Sequence, residues 1–183
     1  MITAIATSGP WRAAVALDSF GWGFPAVGWI EESAAVSDRA PRTVLTATVE
    51  IRLRWSGINP CALLGGTFTH QEIPSLSLRV ARAGATLGVD ASDAGSDGLL
   101  GQPLVKGIPD EFAAAVVRGL TSQVGLNRPG VLRVDKGGYD PVDSSRLAFE
   151  RAAELLKWVL LANGSAGPSA DDLATYLARW RSA

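Results

Sequence analysis

The sequence predicts an α+β fold, a mostly antiparallel sheet with helices on one of its faces. Three observations predict it. Strand-like runs with period-two alternation fill the first half of the chain. Two amphipathic helical stripes separated by a single strand follow, and a short capped helix closes the chain.

Residues 1 to about 60 are strand-like and rich in aromatics. Trp11, Phe20, Trp22, Phe24 and Trp29 stand among Gly21, Gly23 and Pro25, which force turns between short runs. "TVLTATVEIRLRW" is the clearest strand. Val49, Ile51, Leu53 and Trp55 point one way and Thr48, Glu50, Arg52 and Arg54 the other, predicting one buried face and one wet face. "SLSLRVAR" sets Leu76, Leu78 and Val80 against Ser77 and Arg79, and "ATLGVDA" adds a short apolar run. "SDAGSDG" reads as an exposed loop. Its neighbouring acids Asp90, Asp93 and Asp97 miss the spacing of a calcium loop.

Pro109 opens the first helix, with Asp110 and Glu111 in its first turn, where acids suit the positive end of the helix dipole. Phe112, Ala115, Val116, Gly119 and Leu120 form its apolar stripe. Gly119 costs helix propensity there, which predicts close packing against a neighbour. "VLRVDK" is a strand, and Gly137-Gly138 marks a turn after it. A long helix then runs from Asp143, its expected N-cap, to about Ala162. The last helix has Ser169 at its start with Asp172 three residues on, the spacing of a capping box. Three units are expected: a β-rich aromatic extension over 1–62, a main domain over 63–163 and a C-terminal helix over 164–183.

Composition narrows the function. The apolar fraction of 47% and charged fraction of 19% fit a chain of 183 residues with a real core. A net charge of −1 leaves no general basic excess for nucleic acid, so any basic patch is local. The one cysteine, Cys61, rules out an intrachain disulfide and points to a reducing, cytoplasmic setting. No apolar run reaches membrane-spanning length, and the first residues lack the pattern of a signal peptide, so no membrane partner is expected.

Chemistry finds little support. His70 is the one histidine, and nothing in the spacing ties it to Ser144 or Ser145 as a catalytic pair. Potential metal ligands are scattered, and no glycine-rich phosphate loop is present. The residues therefore predict a non-enzymatic protein without cofactor or metal.

A further reading comes from "GGYDPVDSSRLAFERAAELL" (residues 137–156). It resembles the stretch of domain IV in bacterial elongation factor G that runs tyrosine-histidine-x-valine-aspartate-serine-serine into an "x-AF-x-x-A" helix. The upstream segment "QPLVKGIPDEFAAAVVRGLTSQVGLNRPGVLRV" resembles that family's strand, proline-acid helix and returning strand. The resemblance covers about residues 74–160 and is specific over Tyr139 to Ala153. It implies a ribosomal-protein-S5-domain-2-like sandwich with a left-handed βαβ crossover. It also implies tip-loop contacts to the transfer RNA–messenger RNA duplex, whose candidates here are Tyr139, Asp140, Pro141, Arg82 and Arg146. The chain departs from the family at those places. Asp140 replaces the histidine, Arg146 replaces an acid, and "ARAGAT" (81–86) replaces a longer glycine-rich loop. A carboxylate at a phosphate-facing tip is repelled by RNA. The GTPase motifs are absent from the sequence.

Two classes of function remain open. One is a ribosome- or RNA-associated module, with Arg52, Arg54, Arg79, Arg82, Arg128 and Arg133 supplying local basic surface. The other is a protein-interaction domain, an adaptor or a homo-oligomer, that binds through its aromatics or its last helix.

Overall fold

The computed structural model describes residues 2–17, 21–36, 44–54, 57–84, 96–122, 126–162 and 166–181. The runs at 85–91 and 92–95, with Asp90 and Asp93, lie outside the described residues, as does Trp55. Among the described residues, nine strands and three α-helices follow in the order β1 (Ile2–Ser8), β2 (Trp11–Leu17), β3 (Gly28–Ala35), β4 (Val44–Leu53), β5 (Cys61–His70), β6 (Ser75–Arg82), β7 (Ser96–Asp97), β8 (Pro103–Lys106), α1 (Asp110–Ser122), β9 (Gly130–Tyr139), α2 (Arg146–Ala162) and α3 (Ala170–Ala178).

The sheet runs β1-β2-β4-β5-β9-β6-β3, with a β7–β8 hairpin joined to β9 through β8. Its pairings are antiparallel except β6 with β9, where Leu76 stands level with Gly130 and Val80 with Val134. The strands before residue 54 thus continue the sheet that β5 and β9 centre. All three helices lie on one face, α1 over β6 and β3, α2 over β4 and β5, α3 over β1 and β2. That face carries the main core, including Val15, Val49, Ile51, Leu64, Phe68, Leu78, Val80, Leu132 and Val134. The alternation of β4 and β6 forces this, because every second side chain of a strand shares a face.

Helices α1 and α2 lie side by side and run the same way. Phe112 stacks on Phe149 at 4.7 Å between ring centroids near their starts, and Ser122 meets Glu154 further along. Gly119 permits the approach. A Cβ there would stand 2.2 Å from the Glu150 carbonyl oxygen. At the other edge, Trp11 of β2 packs edge-on against Trp180, just beyond α3, at 5.0 Å. The expected capping box is present: Ser169 Oγ accepts from the Asp172 N–H, and Asp172 accepts from the Ser169 N–H.

Two expectations are corrected. Gly137 and Gly138 do not form a turn; β9 continues through both. A Cβ on Gly137 would meet Ile108 at 2.4 Å, and one on Gly138 would meet Trp22 at 2.8 Å. The two glycines let apolar side chains close on both faces of the strand. The opposite face of β4 is also not wet throughout, since Thr48 and Glu50 are fully buried. A second apolar cluster of Ala14, Ala16, Trp22, Cys61, Leu63, Leu99 and Leu104 covers that side locally. The Glu50 carboxylate receives the Leu100 N–H at 2.9 Å and the Arg52 Nε–H at 3.1 Å, and Arg52 also donates to Gln102. The residues around Leu100 are thereby fastened over the sheet. Burial raises the Glu50 pKa, against the lowering effect of the Leu100 bond and of Arg52.

Candidate functional site

The turn from β9 into α2 holds most of the candidate residues, and its geometry is set locally. Asp140 Oδ1 accepts the backbone N–H groups of Val142 at 2.7 Å and Asp143 at 2.9 Å, a carboxylate folding the chain around itself. The Asp140 N–H donates to Ser144 Oγ at 2.9 Å, and the Ser144 N–H returns a bond to the Asp140 carbonyl at 3.1 Å. Ser144 Oγ in turn donates to the Cys61 carbonyl at 2.7 Å, anchoring the turn to the start of β5. Ser144 thus uses its hydroxyl as both donor and acceptor.

The helix cap is Ser145 and not Asp143. Its Oγ accepts the Ala148 N–H at 3.2 Å, and its carbonyl accepts the Phe149 N–H at 3.1 Å. The helix starts at Arg146, so the residue directly before it has the capping geometry. Asp143 lies two residues too early and donates its own N–H to Asp140.

Tyr139 is buried rather than displayed at the tip. It ends β9 opposite Val105 and belongs to the main core. Burial pushes its phenol pKa up, and Glu111 adds to the shift. Pro141 and Val142 are what the turn shows to solvent, Val142 at 87% exposure, followed by exposed Arg146 and by Leu147. Arg82 does not join them; it pairs with Asp110 at 3.5 Å.

The turn carries no activated nucleophile. Burial pushes the Cys61 thiol pKa up and favours the protonated form. His70 pairs with Gly130 at the far end of β9, roughly 30 Å of strand from Ser144 at about 3.4 Å per residue. Among the described residues, no three His, Cys, Asp or Glu side chains gather as a metal site, and no helix is long and apolar enough to cross a membrane.

A second cluster escaped the sequence reading. On the face away from the helices, two guanidinium groups approach the ring of Trp29 of β3, Arg79 at 5.2 Å and Arg133 at 4.8 Å from its centroid. Arg79 bonds Glu31 at 3.0 Å and Arg133 bonds Asp135 at 2.9 Å. The alternation of β6 placed Arg79 on this face, but nothing local showed that β3 would bring a tryptophan beside it. Comparison with known proteins finds no matching family model, no matching curated protein and no matching solved structure.

Proposed function

We propose that the chain is a non-enzymatic binding module on the plan of elongation factor G domain IV, acting without a GTPase, and that its partner is a protein. The order strand-helix-strand-helix, with β6 and β9 parallel and α1 and α2 on one face, supports the domain IV plan, of which the S5-domain-2-like topology is part. One observation carries the choice of partner. Four of the six arginines that would face RNA phosphates, Arg52, Arg79, Arg82 and Arg133, already hold a carboxylate of this chain. Neutralised in place, they release few counterions on meeting a nucleic acid. The turn meanwhile presents Pro141 and Val142, an exposed apolar tip stiffened by the proline ring.

The resemblance of Val142-Asp143-Ser144-Ser145 to the family's tip favours the ribosome- or RNA-associated reading, and one experiment separates the two. The protein is sedimented with ribosomes and with structured RNA at low and moderate salt. No salt-sensitive binding is expected, whereas Val142→Asp should abolish co-purification of the native protein partner. Tight ribosome binding that falls steeply with salt, and is lost on changing Pro141 or Val142, would overturn the protein reading.

A further inference from the structure

The two edges of the sheet differ in a way that bears on self-association. Among the described residues, no strand pairs with the outer side of β1 or of β3. β3 carries Glu31 and Glu32, so two copies meeting there would bring acids together. β1 reads Ile-Thr-Ala-Ile-Ala-Thr-Ser and carries no charge at all. Its central five residues, Thr3 to Thr7, are the same read in either direction.

An antiparallel pair of such strands, centred on Ile5, sets Ile5 against Ile5 and Ala4 against Ala6, with Thr3 and Thr7 flanking. Ile5 against Ile5 is an apolar cross-strand pair of the kind that stabilises a sheet, and the alanines beside it let the two backbones approach. The faces agree as well. Ala4 and Ala6 are buried toward the helices, while Ile5 and Thr7 are exposed on the other side, with Ile5 at 42%. A bulge at Thr3, whose hydroxyl accepts the Leu17 N–H at 3.2 Å, bends the first residue away and confines the pairing to this central run.

A strand pair alone buries too little for a stable contact, which needs about 1,000 Å². Helix α3 supplies more. Gly167, before it, abuts Leu17 near the start of β1, and Trp180, after it, packs on Trp11, which pairs with Ser8 at the strand's end. So α3 runs beside β1 in the same direction. Tyr176 stacks on Trp158 of α2 at 4.4 Å, and Ala174 lies about 160° round the helix from it. Ala170 and Ala178 are exposed on this flank and Ala174 is half-buried between them against the core, so small side chains line the side of α3 away from α2 and permit close approach. A two-fold axis through Ile5 sets the two α3 helices antiparallel, with their dipoles opposed favourably.

We infer that β1 and the alanine flank of α3 form the interface of a symmetric homodimer, in which two copies join their sheets edge to edge through residues 3–7. The inference is independent of the domain IV reading. The dimer places the two Ile5 side chains against each other, so Ile5→Cys should cross-link between copies under mild oxidation. The product should have twice the 19.1 kDa of one chain. Cys61 is buried and is the one native cysteine, so the background is low. Val27→Cys, at an exposed site beside β6, serves as the control and should not cross-link. Ile5→Lys, which sets like charge against like, should weaken self-association in sedimentation by about tenfold or more while leaving the circular dichroism unchanged. A wild-type protein that stays monomeric across the concentration series overturns the proposal. So does a dimer indifferent to Ile5→Lys, or equal cross-linking of the Ile5→Cys and Val27→Cys variants.

Discussion

The hydroxyl of Ser144 donates to the carbonyl of Cys61 across 2.7 Å, joining residues that stand 83 apart in the chain. The bond fixes where α2 starts relative to β5, and with the Asp140 N–H it satisfies both roles of one side chain.

Ser144→Ala removes that joint and leaves two backbone groups unpaired, so it should cost about 1–3 kcal/mol in urea unfolding. Ser145→Ala, which removes the cap, should cost roughly 0.5–2 kcal/mol. Asp143→Ala should stay within about 0.5 kcal/mol of wild type, as for a surface position away from such features. A larger loss at Asp143 than at Ser145 would return the cap to Asp143.

Glu50 should make stability depend on pH. Its folded pKa is raised above 4.5 by burial, so its contribution is fully present below that value and is lost as pH rises through the folded pKa. Glu50→Gln keeps an acceptor for the Leu100 N–H without the buried charge. Its stability profile above pH 4.5 should be flatter than that of wild type. Glu50→Ala strands Arg52 and should cost roughly 3 kcal/mol or more. Identical pH profiles for wild type and Glu50→Gln would mean that the carboxylate is better solvated than its burial implies.

The strands and helices were legible because their signals are local. Leu76, Leu78 and Val80 alternate, and Phe112, Val116 and Leu120 recur at helical spacing, whatever lies elsewhere. Two of the misreadings share one cause, a contact made by residues distant in sequence. Thr48 and Glu50 sit where alternation puts a wet face, and only the arrival of Leu99 and Leu100, about fifty positions on, makes that spot dry. Gly137 and Gly138 carry turn chemistry in isolation, yet Ile108 and Trp22 close on them within a strand. In the candidate turn, the motif located the joint correctly. It did not show that Tyr139 would face inward, or that Asp140 would spend its carboxylate on its own backbone.

Lys157 should give stability a second dependence on pH, in the alkaline range. It is buried between α1 and α2, donating to the Leu120 carbonyl at 2.7 Å and Asn127 Oδ1 at 2.8 Å, and burial lowers its pKa from 10.5 to about 8. Between those values the unfolded chain binds more protons than the folded one, so stability should rise with pH from about 8 to 10.5. Lys157→Met should lack this rise. Parallel curves for wild type and variant over that range would refute the assignment.

Gly119 gives the sharpest test of how α1 meets α2. On propensity alone, Gly119→Ala should stabilise a helix interior by about 1 kcal/mol. The packing opposes this. The new Cβ would stand 2.2 Å from the Glu150 carbonyl oxygen and 2.8 Å from the Ala153 Cβ. A backbone carbonyl inside α2 cannot swing aside as a side chain can, so the two helices must separate. Separation loosens the Phe112–Phe149 stack and strains the hold of Lys157 on the end of α1. The clash should outweigh the propensity gain, for a net loss of roughly 1–3 kcal/mol by thermal or urea unfolding. The second substitution makes the prediction specific. If Ala153 were the obstacle, Gly119→Ala combined with Ala153→Gly would restore stability. Because the nearer obstacle is the Glu150 carbonyl, the double variant should remain at least as unstable as Gly119→Ala alone. Full recovery in the double variant would show that α2 yields at its backbone and that only side chains set the spacing of the two helices.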